Sequence, residues 1–353
     1  MKSFPFIRHT NLWLAISGVM LGISLLAIIF FGFKFGIDFT GGSLLEVKFE
    51  APVTTEKVTQ TLIASELKLG TPVVTPAGEA GKYILRFRYL ENEAEQKQLT
   101  DELSKNIGKF EMQKFTATGP TLGASLRERA IRVIVYASIA IVMYLAATFR
   151  NTRRDSLTKY VSVGSLLAFS IIIGETMVTA NSMKWVTFFI TTAIFLVFLT
   201  YEIRQHSASL KYGVCAIAAL LHDLIIMLGA FVLLGYFLQV EVDSLTLTAM
   251  LTIMGFSVHD TIVVFDRLRE NRKFQTANET LTQVVDKSLN QTLTRSINTS
   301  VSTVIVMSVL FFYGAESIHW FVFALLIGMI VGTYSSIFVA APMLVLWENR
   351  KQN

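Results

Sequence analysis

Eight times along its 353 residues this sequence runs apolar for about 20 residues. Each run is long enough to cross the roughly 30 Å hydrocarbon core of a bilayer as a helix. The runs fall at 11–33, 130–149, 160–180, 185–203, 212–237, 244–265, 295–313 and 319–347. Nothing else constrains the fold as tightly. Backbone in lipid must satisfy its own hydrogen bonds, which leaves helices and closed barrels. Composition agrees, with 16% charged residues and 52% hydrophobic ones, against roughly a quarter charged in soluble domains. The expected fold is a polytopic α-helical membrane protein with about eight transmembrane helices.

The net charge of +5 does not mark a nucleic-acid binder, because of where the positive residues fall. They collect in Lys2 and Arg8, in Arg150, Arg153, Arg154 and Lys159, in Arg204 and Lys211, in Arg267, Arg269, Arg272 and Lys273, and in Arg350 and Lys351. An eight-span chain puts all of these on one side. The opposite short loops, 181–184, 238–243 and 314–318, hold only Lys184 as a clear positive. Excess Lys and Arg in short loops marks the cytoplasmic face, so both termini are expected inside. The first span has no small-residue cleavage site after it and reads as an uncleaved anchor. The single cysteine, Cys215, lies inside a span and reads as packing.

One long stretch outside the spans, 34–129, is expected to form an extracytoplasmic α+β domain. Ser43–Phe49 alternates as a strand does. Thr54 or Thr55 can cap a helix through about Leu69, and Gly70 ends it. A short strand follows at Pro72–Thr75, then a turn, then a strand at Lys82–Arg88. A second helix is expected from Asn92 to Ile107, and a last strand at Phe110–Thr118. This order matches the ferredoxin-like split βαβ arrangement. The whole chain then divides into a tail and first span (1–33), the domain (34–129), a second span (130–150), a hairpin (151–210) and a C-terminal four-helix bundle (211–353). Within the bundle, 266–294 is a cytoplasmic segment. Its amphipathic part, 278–294, is expected to lie on the membrane surface or pack under the bundle.

Ionisable side chains inside a span cost a few kcal/mol or more, so they are candidate functional residues. His222 and Asp223 lie near the middle of one span, His259 and Asp260 past the midpoint of the next, and Arg295 at the cytoplasmic start of another. At about 1.5 Å per residue the two aspartates fall within about two helical turns of each other in depth. An aspartate that loses and regains an arginine partner takes up and releases a proton, because the partner holds it ionised. His222 and Asp223 fit an interhelical hydrogen-bond pair equally well, and Arg295 alone could snorkel to the interface. Gly328 and Gly332 form a GxxxG that lets helices approach. The sequence has no P-loop, metal-ligand cluster, nucleophile elbow or dinucleotide fingerprint, so neither a cofactor nor an enzymatic reaction is expected.

Several ordered stretches carry a resemblance: GIDFTGG at 36–42, GPTLG at 119–123, LLHD at 220–223, GFSVHDTIVVFDRLREN at 255–271, SLNQTLTRS at 288–296 and LLIGMIVGTYSSIF at 325–338. Together they resemble the SecD/SecF family of the resistance-nodulation-division superfamily. The length fits one subunit rather than a fusion of two. The resemblance implies a bacterial cytoplasmic membrane location, a SecD-like partner and a place beside the SecYEG channel. It also implies exported preprotein as substrate, with protons as the driving ion and membrane lipid as surroundings. On this pattern Asp260 and Arg295 take part in proton movement. Asp38, Gly41 and Gly42 match a signature at the membrane exit, where a structural turn and a functional contact are both open. The typical six spans are exceeded here by the hairpin at 151–210. A second reading is a small-molecule or lipid efflux permease of the same superfamily, although such pumps typically carry two large external domains.

Overall fold

The computed structural model describes residues 4–76, 81–148 and 207–349, and the expected hairpin spans at 160–203 lie outside the described residues. The chain forms two compact units. One gathers Met1–Gly32, Arg132–Leu233 and Leu245–Asn353, and the other Phe33–Ile131 with Leu234–Ser244.

The second unit holds a four-stranded antiparallel sheet. Its elements are α2 (Ile37–Thr40), β1 (Gly42–Phe49), α3 (Thr55–Ile63), β2 (Val73–Pro76), β3 (Lys82–Phe87), α4 (Glu93–Asn106) and β4 (Phe110–Thr118), and the strand order is β2-β3-β1-β4. β1 is central, pairing β3 from Ser43–Phe87 to Lys48–Lys82 and β4 along its whole length. Alternation makes the core: Leu45, Val47 and Phe49 of β1 and Tyr83, Leu85 and Phe87 of β3 face Val58, Leu62, Leu99 and Leu103 of the helices. Thr54 caps α3 by accepting a bond from the Lys57 amide.

The helix stops at Ile63 rather than running to Leu69. Ser65 offers its hydroxyl oxygen to the Leu67 amide and donates to Glu102, and such local bonds compete with helix. Lys68 then takes a positive φ of 48°. Arg88 holds the released segment beside β3, its amide and side chain bonding the carbonyls of Leu69, Leu67 and Lys68.

The other unit is helical. Its main elements are α1 (Thr10–Phe31), the later part of α5 (Pro120–Thr148), α6 (Ser207–Leu238), α7 (Ser244–Lys273), α8 (Leu281–Tyr313) and α9 (His319–Ser335). A five-residue π segment, Ser336–Ala340, follows α9 and leads into α10 (Ala341–Asn349). Among the described residues five stretches are long and apolar enough to cross a membrane: Ile7–Phe31, Lys211–Leu238, Ser244–Lys273, Leu281–Tyr313 and Glu316–Asn349.

Burial in α1 and α8 is inverted relative to a soluble protein. In α1, Ser17, Ser24 and Ala27 are buried while Ile29 and Phe30 are 73% and 75% exposed. In α8, Ser288, Thr292, Ser296 and Ser300 are buried and Val306, Val309 and Phe312 face out. Lipid as solvent explains both, because small and hydroxyl-bearing residues then form the helix contacts. Gly229 packs directly on Ser24, where a Cβ would come within 2.3 Å of the serine Cβ.

The surface segment expected at 278–294 and the span expected from 295 form one helix. α8 starts at a complete capping box, Thr280 with Gln283, and continues unbroken to Tyr313. Its first turns bury Val284, Val285 and Leu289. They also hold the N-terminal segment. Asp286 accepts from the Ile7 amide at 2.9 Å, and Asn290 exchanges two bonds with the Phe4 backbone.

Candidate functional site

Asp223 of α6 is fully buried in the helical unit. Its carboxylate is held by three side chains from three helices. His222 Nδ1 lies 2.9 Å from Oδ1, while Ser257 of α7 and Ser335 of α9 donate to Oδ2 at 2.6 and 2.8 Å. Gly332 leaves room for this cluster, since a Cβ there would come 3.2 Å from the Ser257 Cβ and 3.6 Å from Asp223 Oδ2. Gly328, the other glycine of the GxxxG, packs on Ile253 of the same helix α7. His222 is also buried, its ring is within 25° of parallel to that of Tyr334 with centroids 6.4 Å apart, and its Nε2 has no hydrogen-bond partner among the described residues.

Asp260 lies one turn further along α7 and is half-buried. Thr333 donates to its Oδ2 at 3.2 Å, and Thr333 in turn bonds Ser300 of α8 at 2.5 Å. His259 is exposed, and so is Arg295 on α8. Among the described residues no hydrogen bond or ion pair joins Arg295 to Asp260. The sequence-derived set is thus brought together only in part. Asp223, with His222 beside it, and Asp260 each accept a bond from a hydroxyl of α9, while Arg295 and His259 are exposed.

The serines and threonines were not singled out in the sequence. One signal was available: Thr333, Tyr334, Ser335 and Ser336 are four hydroxyls in a row inside an apolar run.

Asp38, Gly41 and Gly42 belong to the sheet unit. Asp38 Oδ2 accepts the Ser244 amide at 3.0 Å and also the Ser244 hydroxyl. A carboxylate at the first residue of a helix satisfies a free amide and complements the helix dipole. Gly41 and Gly42 have φ of +77° and +134°. A Cβ on Gly41 would sit 2.8 Å from the Pro120 Cα, and one on Gly123 would sit 2.7 Å from the Gly41 amide nitrogen. The two glycine motifs therefore meet, and the glycine pair forms a backbone-on-backbone turn.

The loop between α6 and α7 is pinned beside that turn. Val242 bridges residues 34–36 through Val242 N to Lys34 O at 2.8 Å and Gly36 N to Val242 O at 2.9 Å. Glu241 pairs with Arg86 of β3 at 2.8 Å. Burial pushes the Glu241 carboxyl up to about 7, with Asp243 and Asp38 adding to the rise and Arg86 and Lys34 opposing it. Burial also lowers Arg86 despite its carboxylate partner.

Comparison with known proteins covers both regions. Residues 154–350 match the family described as protein export membrane protein SecD/SecF, C-terminal, and residues 26–53 match the SecD/SecF GG motif. A protein translocase subunit SecF from Thermobaculum terrenum is 36% identical over 92% of this chain and 87% of its own length. Another from Desulfurispirillum indicum is 32% identical over 98% and 92%. In structure the chain is similar to SecDF of Thermus thermophilus, a translocon-associated membrane protein, with a TM-score of 0.69 at 25% identity. The likeness covers 99% of this chain and 39% of that one.

Proposed function

The chain belongs to the SecD/SecF family of protein-export membrane proteins, and from that premise we propose that it is the SecF-like half of an accessory complex of the Sec translocase. On this reading it uses the proton gradient to promote late steps of protein export. The proposal gives it a SecD-like partner and a place beside a SecYEG channel; its likeness to the SecDF chain covers 39% of that chain. Eight spans, both termini in the cytoplasm and a ferredoxin-like domain outside complete the proposal.

The single observation that carries the proton reading is the setting of Asp260. It is a carboxylate within an apolar helix, half-buried, and the one hydrogen bond it accepts among the described residues comes from an uncharged threonine. Such a group ionises or stays neutral according to what approaches it. Arg295, exposed on the next helix, is the cation assigned to that approach. A guanidinium can clasp both carboxylate oxygens at once, which a lysine cannot.

The test is reconstitution with a SecD-like partner in vesicles and measurement of gradient-dependent preprotein translocation. Asp260→Asn should abolish the gradient-dependent step while the complex still assembles. Arg295→Lys should be impaired as well. Unchanged translocation in Asp260→Asn would remove this carboxylate from the proton path.

A further inference from the structure

The run Thr333–Ser336 closes α9 where it passes into the π segment, and its four consecutive hydroxyls reach four different helices. Thr333 meets Asp260 of α7 and Ser300 of α8. Tyr334 donates to the Trp13 carbonyl of α1 at 3.0 Å and accepts from Ser17. Ser335 meets Asp223 of α6. Ser336 lies 2.8 Å from the Thr261 hydroxyl of α7. Hydroxyls inside helices commonly bond back to their own backbone, as Ser335 and Ser336 do to the Gly332 carbonyl. What sets this run apart is that Ser335 and Thr333 also end on Asp223 and Asp260, carboxylates inside apolar helices.

Each hydroxyl has one proton to donate. Ser335 has two acceptors for it, Asp223 Oδ2 at 2.8 Å and the Gly332 carbonyl at 3.1 Å. Ionised Asp223 attracts that proton, because bonds to a charged acceptor are the stronger ones. Protonated Asp223 instead needs an acceptor, and when it donates to Ser335 Oγ the serine must turn to Gly332. That carbonyl is already contested. It accepts the Ser336 amide and lies 3.0 Å from the Ser336 hydroxyl. Its bond to the Ser336 amide spans four residues, and the π segment begins at that serine, a form that occurs mostly as single-turn irregularities at functional sites.

We propose that the Thr333–Ser336 turn couples the two carboxylates, so that Asp223 and Asp260 titrate as one unit, with Thr333 and Ser335 as its positioning residues. This rests on the proton-coupled reading above. The titratable neighbours are His222 of α6 beside Asp223 and His259 of α7 beside Asp260. α8 carries Arg295 on its exposed side, and α1 and α9 bring no charged side chain to either carboxylate.

The test follows carboxyl protonation by infrared spectroscopy in the full chain in lipid nanodiscs. Asp223 is isolated by subtracting the Asp223→Asn spectrum at each pH. With the turn intact, adding Asp260→Asn should move the Asp223 midpoint by about one pH unit, the threshold at which sites titrate jointly. In Ser335→Ala, and separately in Thr333→Val, the same change should move it by much less. Thr333→Ser, which keeps the hydroxyl, should restore the shift. Equal shifts with and without the hydroxyls would overturn the proposal, because coupling would then be direct electrostatics. So would absence of any shift in the intact turn. If neither carboxyl titrates at any pH the chain tolerates, the proton reading itself fails and this inference goes with it.

Discussion

Replacing Gly41 by alanine separates two costs that the glycine motif avoids. Gly41 has φ of +77°, and a Cβ there would meet the Pro120 Cα at 2.8 Å. Its ψ of 161° places it in a region occupied almost only by glycine, which costs about 1–3 kcal/mol for any other residue. Contact below 3 Å with backbone cannot be relieved by a rotamer change, and overpacking of that kind adds about 1–3 kcal/mol. Two other glycines isolate the terms. Gly70 has the same φ of +77° with nothing within 4 Å of where a Cβ would sit, whereas Gly123 has no positive φ but a Cβ contact of 2.7 Å with Gly41 N. Gly70→Ala should therefore cost a positive-φ strain without a clash, Gly123→Ala a clash without that strain, and Gly41→Ala more than either, on the order of 2–6 kcal/mol. Hydrogen exchange of the β1 and β4 amides in the full chain reads this directly as local opening. At 1.4 kcal/mol per factor of ten, even the lower figure for Gly41→Ala is a loss of about thirty-fold in protection. If Gly41→Ala and Gly70→Ala lose protection equally, the meeting of residues 41–42 with 119–123 is refuted as the reason for the glycine pair.

Two further outcomes are expected. The Glu241 carboxyl holds its proton up to about 7 in the folded chain against 4.5 in the ordinary case. Its proton therefore stabilises the fold fully below pH 4.5, and that contribution is lost as pH rises through 7. At 1.36 kcal/mol per unit the effect is on the order of 3 kcal/mol, and thermal melts of the full chain between pH 5 and 8.5 should fall more steeply than those of Glu241→Gln; matching slopes would exclude Glu241 as the source. Gly328→Ala places a Cβ 2.2 Å from Ile253 Cδ1 and should cost about 1–3 kcal/mol by overpacking. The double variant Gly328→Ala, Ile253→Val should recover part of it in a detergent melt, and an additive result would show that the two side chains do not touch.

The sheet domain was almost fully legible because its signals are local. Alternation gave β1 and β3, Gly108 stopped α4, and Asn92 and Thr54 marked the two helix starts. The misjudged end of α3 shows the limit. Leu67 and Leu69 keep helical spacing with Val58 and Leu62, yet Ser65 breaks the backbone pattern and Arg88, more than twenty residues away, captures the freed carbonyls. Periodicity records which residues face the core and not which backbone carries them there. In the same way α8 reads as a surface segment joined to a span. Its first half buries Val284, Val285 and Leu289 while its second half turns Val306 and Phe312 outward.

The membrane site divides along the same line. A carboxylate in an apolar run is visible from sequence because its cost in lipid demands a reason, and Asp223 and Asp260 declare themselves. A hydroxyl carries no such cost, since it can bond the carbonyl four residues back in its own helix. Thr333, Ser335, Ser257 and Thr261 therefore pass unnoticed among the many serines and threonines of these spans. Their importance comes from position alone: the same solvent that turns Ile29 and Phe30 outward leaves the small polar residues as the surfaces on which helices meet. Arg295 reverses the lesson. Its charge drew it into the set from sequence, yet it stands exposed, with no bond to Asp260 among the described residues. The proposed proton reading therefore requires a second arrangement in which that arginine reaches the carboxylate. The hydroxyl turn ties α9 to four helices at the point where the π segment begins.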